Sequence, residues 1–490
     1  MVKKSVKGIT ENKIDNFSEW YSQIIQKADL ADIRYGIQGF IVHKPWGFMI
    51  MREIYRNLEK EMEDKGHIPY LFPMAVKEES LKKEKEHAGF TPNVFWISEA
   101  GDKKIKERFA LRPTGEAQIY PMYSLWLRSH NDLPYKAYQS RIPAFRNEMT
   151  TRPFLRGREF MFFESHNAFY THKEALEQIE EDFNVCNKII RDKLKIPFIY
   201  FKRPQWDKFK GADNTFTPDT LMPDGKRNQL ASTHDLGQNF SKAYDIKVKG
   251  DDEKNHFVWQ TCFGPGIWRI MAALISIHGD NKGLILPFEF APIQIIIVPI
   301  IIKNKKEKEI VKISKELQKE LKTNYKVKID LDQETPGFKF NKWEMKGVPI
   351  RVEIGPKDVE NGCVTIVLRN SDEKQQIKIE KLNDEIPKLV KKLNEKIEKQ
   401  ANEYFKNCIR DANTFDKLKE LIEKYKGFIR VPFCTTEIEG EKCEDILKFE
   451  TNGGVICGTR FKLKEKPNKN QKCIVCGKPA KKIVYVAKTY

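Results

Sequence analysis

The side chains best suited to chemistry crowd between positions 109 and 169. Arg146 and Glu148 stand two apart in Phe145-Arg146-Asn147-Glu148, and on an extended strand such a pair projects from one face. An arginine fork suits phosphate oxygens, and a carboxylate accepts from an exocyclic amine. A basic loop at 149–157 follows with Arg152 and Arg156, and Arg158-Glu159-Phe160 then opens a second apolar stretch through Phe162, Glu164 and His166. Strand, basic loop and strand predict an antiparallel hairpin with cations at its tip. Upstream, Leu111-Arg112-Pro113-Thr114-Gly115-Glu116 places Thr114 and Glu116 between a strand and a helix. The competing reading is a solvated hairpin whose charges pair with one another. It accounts for any single residue better than for the whole string.

Two further segments carry polar or charged groups in unusual company. Residues 228–239, Asn-Gln-Leu-Ala-Ser-Thr-His-Asp-Leu-Gly-Gln-Asn, are small and polar but lack the spacing of a P-loop, and no G-x-x-x-x-G-K-[ST] occurs in the chain. A conventional P-loop nucleotidase is thereby excluded. In Phe263-Gly264-Pro265-Gly266-Ile267-Trp268-Arg269, the glycines allow close backbone approach and Arg269 enters the first turn of an apolar helix. An arginine enclosed by such a helix is costly unless an anion answers it. Near the end of the chain, Cys434-x8-Cys443 and Cys473-x2-Cys476 followed by Gly477 offer four thiolates in two pairs, as a closed structural zinc site requires. Cys457 is an alternative to one member, and unliganded reduced thiols are the alternative to the site.

These residues need elements to hold them. Pro45-Trp46 opens a helical pattern in which Ile50, Ile54, Leu58 and Met62 form an apolar stripe, and Gly66 is placed to end it. An extended segment at 68–73 follows; it fits either ordinary core or a dimer seam. A helix is expected at 117–130, and strands at 138–148 and 158–166. Beyond residue 290 a buried-type strand (293–299), a lysine-rich helix (304–323), a strand (325–331), an apolar run (364–368) and a polar helix (384–406) predict a compact α/β domain. Helical segments and the cysteine-rich tail complete the chain.

The whole chain, 490 residues, suggests three domains. It is 40% apolar, 11% aromatic and 32% charged, too apolar for a disordered polymer and too charged for a membrane protein. The longest apolar run, 291–302, holds two prolines and a glutamine and falls short of the roughly 20 residues that cross a bilayer. No apolar segment follows the first residues, so no secretory signal is expected and the protein is expected to be cytoplasmic. The net charge of +18 suits a polyanionic partner, although a lysine-rich surface accounts for it equally well.

Together these segments closely resemble the class II aminoacyl-tRNA synthetases, and within them the prolyl family of archaeal and eukaryotic-type architecture. The 45–73 helix and strand look like motif 1, the dimer element. Phe145–Glu148 with its basic loop and Arg158-Glu159-Phe160 look like motif 2, and 264–269 with its helix looks like motif 3. The Leu-Arg-Pro-Thr-Gly-Glu string is shared by the seryl, threonyl and glycyl relatives. Residues 336–358, containing Lys346-Gly347-Val348-Pro349-Ile350-Arg351, are very like the anticodon-binding signature of the prolyl enzymes. The resemblance implies an α+β chain: a class II catalytic domain on an antiparallel sheet (1–290), an α/β anticodon-binding domain (291–400) and a small C-terminal zinc-binding domain (401–490). It implies ligation of proline to tRNA(Pro) through prolyl-adenylate, with release of AMP and diphosphate, and a homodimer. The alternatives are glycyl or threonyl specificity, or a catalytically inactive RNA-binding or regulatory subunit.

The resemblance also implies roles. Arg146 would grip the α-phosphate and then the prolyl carboxylate–phosphate centre, Glu148 would read the adenine amine, and Arg269 would hold the γ-phosphate. Gln229 and Arg158 would place the nucleotide. Thr114 and Glu116 would form the proline-pocket pair, with Glu116 on the secondary ammonium. Phe162, Glu164, His166, Ser232 and His234 would line the rest. Glu344, Arg351 and Asp358 would read anticodon guanines, the alternative being an internal network bracing a turn. ATP with Mg²⁺ would be a substrate and Zn²⁺ structural. Some relatives end in a tyrosine reaching toward the active site, a role Tyr490 matches.

Overall fold

The computed structural model describes residues 8–88, 93–301 and 306–490, and for 84–88 only the backbone. Its main element is a 12-stranded sheet. From one edge the strands run Ile68–Pro69, Tyr135–Phe145, Glu159–Phe169, Trp259–Pro265, Ala231–Gly237, Asn214–Leu221 and Ile199–Lys202, with Arg227–Gln229 paired on Asn214–Leu221. It then continues into the C-terminal strands Gly454–Arg460, Lys482–Lys488, Phe428–Phe433 and Ile409–Asp411. Pairing is antiparallel except at the two edges. The C-terminal strands are therefore an extension of the main sheet, joined where Thr459 and Arg460 pair with Lys202 and Phe201.

The helix Pro45–Asp64 forms as its stripe requires. Proline at N1 suits the fixed φ of a first turn. Trp46, Ile50, Met51, Ile54, Tyr55, Leu58 and Met62 are buried against the back of the sheet, each aliphatic side chain contributing about 1.5–3 kcal/mol. Gly66, at φ +83°, ends the helix. The Tyr55 hydroxyl donates to the Phe162 carbonyl at 3.2 Å, tying this helix to a strand of the hairpin.

Several expected boundaries move, each for a local reason. The strand expected at 138–148 is Tyr135–Phe145. Its ladder closes with Arg146 N–H on the Arg158 carbonyl; the next amides go to Asn93 and back to Arg146. Arg146 and Glu148 therefore lie past the strand, and strand alternation is not what places them. The helix expected at 117–130 is Glu116–Trp126, because Ser129 and Asp132 form a capping box that starts a separate 3-10 turn at His130–Asp132. Of the extended segment expected over 68–73, only Ile68–Pro69 pairs as a strand, and Tyr70 N–H adds one further bond to the Tyr138 carbonyl.

The second unit is a mixed five-stranded sheet ordered Val327–Ile329, Ile295–Pro299, Ile350–Ile354, Cys363–Leu368 and Lys374–Lys378. The first three strands are parallel and the rest antiparallel. Helices Glu307–Leu321 and Pro336–Met345 belong to it; residues 304 and 305 of the expected helix lie outside the described residues. The helix Leu382–Asn407 runs unbroken through residue 400, where a domain division was expected. No helix among the described residues is long and apolar enough to cross a membrane.

Candidate active site

A cleft of about 440 Å³ opens on the sheet between the strands Glu159–Phe169, Trp259–Pro265 and Ala231–Gly237 and the first turn of the helix Ile267–His278. Thr114, Glu116, Arg146, Glu148, Phe162, Glu164, Gln229, Ser232, His234 and Arg269 all line it. Segments far apart in sequence thus present their polar groups to one space.

Arg269 stands behind the N-cap Gly266, in the first turn of an otherwise apolar helix. Its guanidinium has no ion pair among the described residues and one hydrogen bond there, a long contact of 3.4 Å from Nη1 to Asn228 Oδ1, while its carbonyl accepts from Asn228 Nδ2 at 2.9 Å. Burial, and then the charge of Arg156, pull its pKa down to about 10. A guanidinium partly stripped of water and set near two other arginines has one ready means of relief, a polyanion. Arg146 is half-exposed with Nη1 4.0 Å from Glu148 Oε1, and Arg156 Nη1 reaches Glu148 Oε2 at 3.3 Å. Arg158 does not line the cleft. Its Nε donates to the Glu148 carbonyl at 3.0 Å, so it holds the backbone that carries Glu148.

The opposite end of the cleft is drier. Glu164 is fully buried and its Oε2 accepts from Gly115 N–H at 3.0 Å and faces His166 Nε2 at 3.1 Å. Its Oε1 accepts from Gln139 at 2.6 Å. Burial alone would raise this carboxyl, but the His166 hydrogen bond and charge, with Arg112, hold it below its ordinary value. Burial works against charge on His166 too, and the Glu164 contact overrides it and raises the pKa. His166 is wholly enclosed behind the lining, with Nδ1 2.9 Å from the Tyr120 hydroxyl. The close approach demands glycine at 115, where a Cβ would sit 2.5 Å from Glu164 Oε1.

Glu116 begins the helix Glu116–Trp126 and is 2% exposed, and its Oε2 has no hydrogen-bond partner among the described residues. A buried carboxylate oxygen in that condition costs free energy until a cation or N–H donor meets it. Ser232 and His234 share one face of their strand, with His234 Nε2 3.1 Å from Ser232 Oγ and Nδ1 2.9 Å from Thr215 Oγ1. Burial, then the His166 charge, lowers the His234 pKa to about 3, leaving the ring neutral.

Sequence reasoning missed two arginines. Arg203 Nη2 donates to Asp219 at 2.9 Å and to Gln229 Oε1 at 3.0 Å, and Arg227 lies 3.5 Å from Asp219. Both line the cleft. The available signals were an arginine just after the apolar strand Ile199–Lys202 and the charged pair preceding Asn228. Trp268 also lines the cleft. It forms a wall, donates to His43 Nε2 at 2.9 Å, and would collide with any Cβ on Gly157.

In the second unit, Arg351 is buried between Glu344 (2.8 Å) and Glu353 (3.0 Å). Asp358 is not part of that network. It accepts from Gly355 N–H at 2.8 Å and Thr365 Oγ1 at 2.9 Å, capping the short helix Pro356–Glu360. At the C-terminal end, Cys434, Cys443, Cys473 and Cys476 place their sulfurs within 4.8 Å of one another, with Cys434 and Cys443 3.7 Å apart. Cys457 is buried elsewhere and does not join them. Tyr490 comes to the edge of the cleft: its carbonyl accepts from Arg156 at 3.0 Å and its hydroxyl donates to Asp224 at 2.6 Å.

Comparison with known proteins agrees along the full chain. The family model for the tRNA synthetase class II core domain (G, H, P, S and T) matches residues 95–278. An anticodon-binding domain model matches 294–389, and the model for the C-terminal part of prolyl-tRNA synthetase matches 415–490. Over 489 residues the chain is 48% identical to the proline–tRNA ligase of Thermofilum pendens, covering 99% of this chain and 100% of that one. It is 40% identical to the Pyrococcus horikoshii proline–tRNA ligase, covering 97% and 98%. Among solved structures, Giardia lamblia prolyl-tRNA synthetase in complex with prolyl-adenylate superposes with a TM-score of 0.94 at 33% identity, over 98% of this chain and 100% of that one. The Cryptosporidium parvum enzyme complexed with L-proline and AMP gives 0.92 at 34%, over 99% and 98%.

Proposed function

The chain belongs to the prolyl-tRNA synthetase family of class II, a proline–tRNA ligase charging tRNA with proline at the expense of ATP, and from that premise we propose how its own residues divide the work. Glycyl or threonyl specificity and an inactive subunit are not favoured: the C-terminal match is prolyl, and Arg146, Glu148 and Arg269 are all present.

The observation that carries the assignment is Arg269, a guanidinium with no ion pair among the described residues, in the first turn of an apolar helix and lining the same cleft as Arg146 and Arg156. ATP enters as its Mg²⁺ complex. Arg269 takes the γ-phosphate, Arg146 the α-phosphate, and Glu148 the adenine amine, with Gln229 placing the nucleotide and Arg158 holding the Glu148 backbone. Glu116 takes the secondary ammonium of proline beside Thr114. Phe162, Ser232 and His234 enclose the ring, and Glu164 with His166 fixes the floor. The attacking prolyl carboxylate is already ionised, so adenylation needs no general base. Catalysis reduces to holding the carboxylate in line with the α-phosphorus and stabilising charge on the phosphates.

Glu344 and Arg351 offer the polar edge for anticodon guanines, with Asp358 shaping the turn. The four-sulfur cluster fits tetrahedral Zn²⁺ in donor type and number, and the ion when bound cross-links the C-terminal unit. Exposed apolar groups around the motif 1 segment, including Leu71 and Trp126, support a homodimer through that face. The reading places the enzyme in the cytoplasm with the translation machinery. Amino-acid-dependent ATP–pyrophosphate exchange with each of the twenty amino acids tests the whole: proline should support it, and exchange driven by another amino acid but not by proline would overturn it.

A further inference from the structure

Three side chains at the floor of the cleft are of types that bind metals. Glu116 comes from the start of its helix, His166 from Glu159–Phe169 and Cys262 from Trp259–Pro265, and one donor atom of each lies within 4.8 Å of the others. Cys262 Sγ is 3.9 Å from Glu116 Oε1 and 3.9 Å from His166 Nε2. With metal–sulfur bonds of about 2.3 Å and metal–nitrogen bonds of about 2.0–2.1 Å, tetrahedral donors stand roughly 3.5 Å apart, so the two sulfur pairs need to close by only a few tenths of an ångström, and the Glu116–His166 pair starts within 4.8 Å. A second observation points the cluster at a cation: Glu116 Oε2 is buried and unpartnered among the described residues. Glu116 and Cys262 both line the cleft, which leaves a fourth coordination position facing it.

We propose that Glu116, His166 and Cys262 form a binding site for a thiophilic divalent cation such as Zn²⁺, separate from the four-cysteine cluster, and that this cation competes with proline for Glu116. The competition rests on the reading of Glu116 as the ammonium partner; the metal site itself does not.

Binding releases the Cys262 thiol proton and the His166 Nε2 proton to solvent, giving thiolate, neutral imidazole and carboxylate as ligands. His166 then carries its remaining proton on Nδ1, donated to the Tyr120 oxygen it already faces at 2.9 Å. Glu164 gives up its contact with His166 but keeps Gly115 N–H and Gln139. No oxidation is involved, and the open fourth position takes water.

The test is cobalt(II) titration of the full-length enzyme with its four-cysteine cluster already loaded with zinc. One additional equivalent should bind with thiolate-to-cobalt absorption, and Cys262→Ser should abolish both. Glu116→Gln, which keeps the thiol, should retain the band at an affinity lowered roughly tenfold or more. In ATP–pyrophosphate exchange, free Zn²⁺ should raise KM for proline and leave kcat unchanged. Absence of the band in the wild type, or its persistence in Cys262→Ser, overturns the site. A band that survives while calorimetry shows saturating proline bound overturns the competition and the placement of proline at Glu116, and leaves the metal site standing.

Discussion

Arg203 joins the C-terminal unit to the wall of the cleft: its Nη1 donates to the Cys457 carbonyl at 3.0 Å, while Nη2 holds Asp219 and Gln229. One buried side chain thus spans the seam at which the catalytic sheet accepts the C-terminal strands. Lysine could keep one of these contacts but not all of them. Arg203→Lys is expected to raise KM for ATP by roughly tenfold, about 1.4 kcal/mol, with KM for proline nearly unchanged. Steady-state exchange kinetics varying each substrate in turn would check it, and equal changes in both would count against a role at the nucleotide end.

Arg269 is the sharper case. Removing a pre-placed donor to developing charge typically costs about 10²–10³ in rate. Arg269→Ala should lower kcat for proline-dependent exchange by about that factor while the melting temperature holds or rises, since a partly buried cation with no ion pair among the described residues is lost. A variant with near wild-type exchange would remove Arg269 from the phosphate site.

Arg351 separates tRNA recognition from activation. Arg351→Ala should weaken tRNA aminoacylation and leave ATP–pyrophosphate exchange nearly untouched, because the residue belongs to the second sheet. Glu353 keeps Lys374 at 2.8 Å as a partner, which limits the structural damage. Equal loss in both assays would mean that Arg351 only braces the fold.

Metal removal should act first on the C-terminal unit. Cys473→Ser, or chelation of the wild type, should lower the zinc content by one equivalent and the thermal stability with it, since binding to a closed four-thiolate site is folding free energy. Elemental analysis beside a melting curve would show it. A zinc-free wild-type protein of unchanged Tm would refute the structural ion.

Besides His234, two more buried histidines give a pH signature of the same sign. Burial, followed by the charge of Lys136, lowers the His67 pKa to about 3, and burial lowers that of His278 to about 4. In the unfolded chain each titrates near 6.5. Between those limits the unfolded state binds the extra protons, so stability is fully present above about pH 6.5 and declines as the pH falls toward 4. His278→Gln should flatten that decline in denaturant melts taken at successive pH values. An unchanged slope would place the proton uptake elsewhere.

The chain by itself determined the kinds of group and their local carriers. The apolar stripe of Pro45–Asp64, the glycine that ends it, the hairpin with its basic loop, the arginine opening the motif 3 helix and the paired cysteines are short-range patterns. Helical and strand periodicity and capping chemistry make them readable. Tertiary structure decided what meets what. The ladder of Tyr135–Phe145 ends with Arg146 N–H on the Arg158 carbonyl because the amides of Asn147 and Glu148 find partners in Asn93 and Arg146. Glu116, His166 and Cys262 converge because three separate elements cross at the cleft floor. Arg351 chose Glu353 over Asp358, Cys457 was left out of the thiolate cluster, and the C-terminal strands merged with the catalytic sheet. Such outcomes depend on hydrogen-bond and ion-pair partners many residues away, where spacing in the chain says nothing about distance in space.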